Sequence, residues 1–173
     1  MFDGYSLHTT DKVLITDETG VVSDIVSTTE AGDDIQQFEG VLTPGLINAH
    51  CHLELSHLKN VIPPHTGLID FLCSVVTKRG FEQELIQQEI VKAEEEMFNN
   101  GIVAVGDIGN TADTALVKSK SKIRWQNFVE VLSFTDAKAE ENFNHYQTVA
   151  DDLEAALHTS NIAHRTSLVP HAP

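Results

Sequence analysis

The chain has 173 residues, with 11 Lys plus Arg against 26 Asp plus Glu and a formal net charge of −15 at pH 7. That balance argues against a nucleic-acid backbone, which is held by clustered basic side chains, and against an anionic membrane surface. Hydrophobic residues make up 41%, enough for a buried core, and two cysteines, Cys51 and Cys73, are too few for a disulfide framework. The opening Met1-Phe2-Asp3-Gly4-Tyr5 has neither a basic nor an apolar leader region, so a reduced, cytoplasmic protein is expected.

Residues 1–42 read as β. Val13-Leu14-Ile15-Thr16 and Val21 to Val26 are short strands joined by a turn at Asp17-Glu18-Thr19-Gly20, and Gln36 to Leu42 is a third extended run. Three short strands make a poor domain, so they are expected to belong to a small sheet completed from elsewhere. The character changes at Thr43-Pro44-Gly45. Leu46 to Ala49 is a buried-type strand ending in histidines, and Leu68 to Arg79 is expected to be helical, with Gly80 as its stop. Phe81 to Asn100 is the clearest helix, its apolar positions Phe81, Leu85, Ile86, Ile90, Ala93 and Met97 falling on one face. Asn100-Gly101 stops it, and Ile102 to Asp107 is the next strand. A short helix over 111–120, a strand within Trp125 to Phe134, a helix from Ala139 to Thr159 and a strand Ser167 to Pro170 follow.

The order from Pro44 is β-α-β-α-β-α-β, which implies parallel strands with helical crossovers. A closed (β/α)8 barrel needs about 250 residues. The 43–173 stretch therefore reads either as a small open α/β sheet or as half of a barrel.

His50 and His52 stand two apart at a strand end. The strand period of two puts both imidazoles on one face and Cys51 on the other. Neutral imidazole suits zinc or ferrous iron, and strand C-termini are where barrels and open α/β enzymes build their sites. A bare His-x-His is weak evidence, since two polar residues leaving a strand look the same.

The run Leu42-Thr43-Pro44-Gly45-Leu46-Ile47-Asn48-Ala49-His50-Cys51-His52-Leu53-Glu54 resembles the first-strand signature of the amidohydrolase superfamily. There, a Pro-Gly stretch leads from a small β-sandwich into strand one of a barrel. The Asn100 to Asp107 run resembles that family's passage from helix one to strand two, and Val169-Pro170-His171-Ala172-Pro173 resembles the strand-four end of its deaminase and chlorohydrolase branch. The resemblance implies an α/β fold, the first half of a (β/α)8 TIM-like barrel over 43–173, preceded over 1–42 by strands of a composite β-sandwich. It makes His50 and His52 ligands of one divalent metal ion, zinc ahead of iron, and His171 a contact to substrate. Glu54, just beyond the ligands, is the second candidate for substrate binding. The remaining ligands and the acid-base residues belong to later strands, so no catalytic residue is expected in this stretch.

Two absences narrow the branch. No Arg follows the His-x-His, and no Lys occurs after Lys138, which leaves no strand-four Lys to bridge two metals. Both favour a mononuclear, deaminase-like member, and the wording from Asn48 to Ser56 looks closest to aminodeoxyfutalosine deaminase-like proteins. The implied activity is hydrolysis of a non-peptide C–N bond in a small cyclic substrate, of purine or nucleoside type, by metal-activated water. One alternative is a truncated, inactive fragment with a structural or interaction role and open sheet edges, which would favour self-association into a homo-oligomer. Another is a dechlorinating or ring-opening relative.

Other residues carry less. His57 lies where a substrate mouth is expected, and His65 sits in a turn-rich loop able to cover it. Asp107 ends a strand on the same side and either orients the site or caps the next turn. Cys73 reads as core, while His145, His158, His164 and the Glu94-Glu95-Glu96 run read as surface.

Overall fold

The computed structural model describes residues 1–9 and 11–171 and divides the chain into two compact units, Met1–Gly45 and Leu46–Pro173. Ala172 and Pro173 of the terminal His-Ala-Pro motif lie outside the described residues. In the first unit, β1 (Lys12–Thr16) and β2 (Val22–Ser27) pair antiparallel. Their turn is built as its residues predict. Asp17 accepts hydrogen bonds from the backbone N–H of Thr19 and Val21, and Gly20 takes φ 82°.

The third strand expected over 36–42 is absent. A strand exists through its ladder, and β1 and β2 pair only with each other. The recorded backbone bond to this run is a single one, from the Phe2 N–H to the Leu42 carbonyl at 2.8 Å, and Phe38 and Val41 remain exposed.

The second unit is an α/β layer. β3 (Leu46–Cys51), β4 (Ile102–Gly109), β5 (Arg124–Val131) and β6 (His164–Pro170) form one parallel sheet in the order β3-β4-β5-β6. Between them run α1 (Leu68–Lys78), α2 (Gln83–Asn99), α3 (Ala115–Lys120) and α4 (Ala139–Leu157), with 3-10 turns at Leu53–Leu58 and Asp136–Lys138. Strands laid down in sequence order, each followed by a crossover, are the pattern of a partial barrel rather than of a sheet that reverses direction.

Two apolar clusters hold this layer. Ile86 and Ile90 of α2 pack with Leu53, Val105, Ile123 and Trp125, and Val149, Ala150 and Leu153 of α4 pack with Val129. Burying each of these large side chains stabilises the fold by about 1.5–3 kcal/mol before entropy is counted. Of the predicted α2 stripe, Ile86 and Ile90 are buried and Ala93 and Met97 pack against them, whereas Leu85 is exposed and Phe81 precedes the helix, which ends at Asn99 with Asn100 as cap and Gly101 at φ 81°.

α1 forms where expected, but none of its residues is buried, and Leu68, Ile69 and Val76 are about 70% exposed. Cys73, expected in the core, is therefore exposed. Its helix has an apolar stripe but contributes to neither core cluster.

Candidate metal centre at the strand ends

β3 delivers the two histidines with a local irregularity. Asn48 is opposite Val105 and Cys51 opposite Asp107, so three steps on β3 match two on β4. A bulge of this kind re-aims the side chains that follow it. His50 and His52 are both exposed, their rings meet edge to face with centroids 5.1 Å apart, and their Nε2 atoms are 3.3 Å apart. Two nitrogens each bound about 2.0–2.1 Å from a tetrahedral ion stand about 3.3 Å from one another. The pair thus has the spacing of two ligands on one ion. Among the described residues no group of three His, Cys, Asp or Glu side chains is placed to hold a metal.

Cys51 lies on the other side of the strand, packed against the first core cluster. Burial pushes its thiol up to about 12, and the neighbouring Asp107 carboxylate adds to the shift. It is a core group.

Around Asp107 is a buried polar ladder. Cys51, Asp107, Asn127 and Thr166 are direct partners on β3, β4, β5 and β6. Asp107 Oδ2 is 2.6 Å from Lys118 Nζ, which also donates to Asn127 Oδ1 at 2.7 Å and lies 5.1 Å from the Trp125 ring centroid. Asn127 Nδ2 donates to Thr166 Oγ1 at 3.2 Å. The other Asp107 oxygen accepts the Leu53 N–H at 2.8 Å.

Glu54 is placed differently from an open substrate contact. Its side chain is 5% exposed. Oε2 accepts from the Asn110 N–H, the Thr111 N–H and the Thr111 hydroxyl at 2.8–3.0 Å, and Oε1 accepts from Arg79 at 3.3 Å. The carboxylate therefore ties the loop after β4 to the turn after β3. Arg79 also donates to Asn110 Oδ1. His57 is buried rather than lining a mouth, with Nε2 3.1 Å from the Arg79 carbonyl and its ring against Phe81. His65 takes φ 64° in the loop before α1, where it lines an open groove with Pro63, Pro64, Leu68 and Phe71.

His171 follows β6. Its side chain is half exposed, its N–H donates to the Val131 carbonyl at 3.1 Å, and Nδ1 is 2.7 Å from Glu130 Oε1. Glu130 thus orients the imidazole ring through its Nδ1.

The sequence reading missed Lys118, Asn127, Arg79 and Glu130. A signal existed for the first two. Asp107 interrupts an otherwise apolar strand, Asn127 shares the alternating face of Trp125 and Val129, and Lys118 falls one turn after Thr114, which is itself buried. A buried polar residue needs a partner, so a buried acid and amide on adjacent strands ask for a buried cation.

Comparison with known proteins gives the family and the fold. Residues 41–173 match the amidohydrolase family model. A 5-methylthioadenosine/S-adenosylhomocysteine deaminase of Natronomonas pharaonis is 29% identical over 94% of this chain and 38% of its own length. An aminofutalosine deaminase of Helicobacter pylori, solved with methylthio-coformycin, superposes with TM-score 0.72 at 24% identity, over 94% of this chain and 40% of that one. An adenosine deaminase of Xanthomonas campestris with bound zinc gives 0.62 at 20% identity, over 92% and 38%. The chain thus spans about two fifths of the length of the relatives it matches, and with the family model covering most of its residues, it belongs to the amidohydrolase family.

Proposed function

We propose that the chain is the metal-binding N-terminal part of a hydrolase that cleaves a non-peptide C–N bond in a small cyclic substrate, most simply the exocyclic amine of a purine nucleoside. The observation that carries this is the 3.3 Å convergence of His50 and His52 Nε2 at a strand end, in a chain whose curated relative is a deaminase. The neutral imidazoles suit a divalent ion, zinc in preference to iron, and zinc in the adenosine deaminase relative supports that choice. When bound, the ion supplies a water acidified enough to attack a ring carbon at neutral pH. His50 and His52 hold it. His171, oriented by Glu130 through Nδ1, contacts the substrate. Glu54 acts from behind, fixing the Asn110-Thr111 loop beside the site rather than touching the substrate.

The same reading places the remaining ligands and the proton-transferring acid on strands beyond β6, and 1–42 in a composite sandwich. It assigns the protein to the cytoplasm. Among the described residues no helix is long and apolar enough to cross a membrane. The two-ligand site favours a second statement: the 173 residues by themselves are inactive, because a catalytic zinc takes three protein ligands.

The test is metal content and ammonia release from the complete protein on a panel of adenosine, methylthioadenosine, S-adenosylhomocysteine and aminofutalosine. His50→Ala and His52→Ala should each lose zinc and activity by at least about 100-fold. Zinc retained in both variants would sink the reading. Chloride release from chlorotriazines without ammonia release would move the protein to the dechlorinating branch.

A further inference from the structure

The backbone leaving β3 is pinned directly after the second histidine. The Leu53 N–H donates to Asp107 Oδ1 at 2.8 Å, while Asp107 Oδ2 is 2.6 Å from Lys118 Nζ. Lys118 is fixed in turn by Asn127 at 2.7 Å, and Asn127 by Thr166 at 3.2 Å. Asp107, Lys118 and Asn127 are 3%, 3% and 1% exposed, so water does not loosen these bonds. A buried ion pair of this kind is weak evidence for stability, since an apolar replacement of similar volume is often as good. What it supplies is direction. A carboxylate with one oxygen on a buried ammonium and the other on a peptide N–H cannot rotate without breaking both bonds.

The pinned peptide joins His52 to Leu53. Its orientation sets the direction in which His52 leaves the backbone, and the bulged geometry upstream transmits the same constraint to His50. We propose that Asp107, locked by Lys118, is a positioning residue that holds His50 and His52 in their convergent arrangement for a metal ion. The proposal rests on the reading of the two histidines as ligands. A hydrogen bond to the peptide beside a ligand is a different device from the usual one to the ligand's own ring, and it leaves both imidazole Nδ1 atoms free of it.

The test uses the complete protein, stripped of metal and reloaded with zinc or cobalt. Zinc affinity is read by competition with a chromophoric chelator, and coordination geometry by the visible absorption of the cobalt form. Asp107→Ala should bind zinc about 10–100-fold more weakly and shift the cobalt bands. Asp107→Asn, which keeps an acceptor for the Leu53 N–H, should recover part of the loss. Wild-type affinity and an unchanged cobalt spectrum in Asp107→Ala, alongside lost binding in His52→Ala, would overturn the positioning role alone. Undiminished binding in His52→Ala would overturn the ligand reading first, and this proposal with it. Should Asp107→Ala not fold, amide exchange in the unmodified protein decides. The Leu53 N–H should exchange more slowly with zinc loaded than stripped, and equal rates would reject the coupling.

Discussion

Glu54 and Asp107 are both buried carboxylates, satisfied in different ways. Glu54 spends its charge on two backbone N–H groups, a hydroxyl and one half-exposed guanidinium. Asp107 divides its two oxygens between the Leu53 N–H and an ammonium as deeply buried as itself. Replacing Glu54 with Gln turns one acceptor oxygen into a donor facing donors, so we expect a loss of about 1–3 kcal/mol in urea unfolding. An unchanged midpoint would show that the loop does not depend on this carboxylate. Lys118→Met leaves the Asp107 carboxylate buried without its counter-charge and should cost more, about 3–5 kcal/mol. Cys51 and Cys73 give a contrast in reactivity. Cys73 is exposed on α1, whereas Cys51 packs against the core with its thiol pushed up to about 12. A thiol reagent at neutral pH should modify Cys73 and spare Cys51 in the native protein, as read by peptide mass, because the thiolate is the reacting form.

At the scale of elements, β3 and β4 approach unusually closely beside the site. A Cβ on Gly106 would stand 2.9 Å from the Ala49 carbonyl oxygen and 3.3 Å from the Phe128 ring. The oxygen belongs to backbone, so Gly106→Ala must push β3 aside at the residue before His50. We expect a stability loss of about 1–3 kcal/mol and a weaker zinc affinity in the same variant. Wild-type zinc affinity would show that the β3 end absorbs the shift downstream of Ala49. This close approach was not legible in the sequence, where Gly106 is one more small residue in an apolar run. The element order was legible, because strands and helices have different apolar periods and several boundaries, such as Pro44-Gly45, Gly80 and Asn100-Gly101, carry Gly, Pro or Asn. The Gln36–Leu42 strand failed for a physical reason. Extended propensity is local, but a strand is made by a partner, and partner identity is not written in a short window. The site divided the same way. His50 and His52 could be paired by spacing alone, whereas the partners of Glu54, Asp107 and His171 lie 11 or more residues away, and only the fold brings them together.

At the scale of the whole chain, the four parallel strands have β3 and β6 as their edges, which pair with no further strand among the described residues. Apolar side chains also stay exposed on the strands and on α1, including Ile47 at 71% and Ile69 at 72%. Open edges and apolar patches drive association. The 173-residue chain expressed by itself should therefore elute from size exclusion as oligomers or aggregates, and should bind a hydrophobic dye more strongly than the complete protein. A monodisperse monomer with no dye binding would show that its exposed faces are better tolerated than their area implies.

The order β3-β4-β5-β6 also bears on how the molecule is made. Each strand pairs with the one synthesised just before it, so a chain emerging from the ribosome can add strands one at a time to a growing edge. The first histidines leave the exit tunnel early, and the polar ladder behind them closes rung by rung as Asp107, Asn127 and Thr166 arrive. By the time Thr166 is in place, the strand ends that carry His50 and Asp107 have their final register.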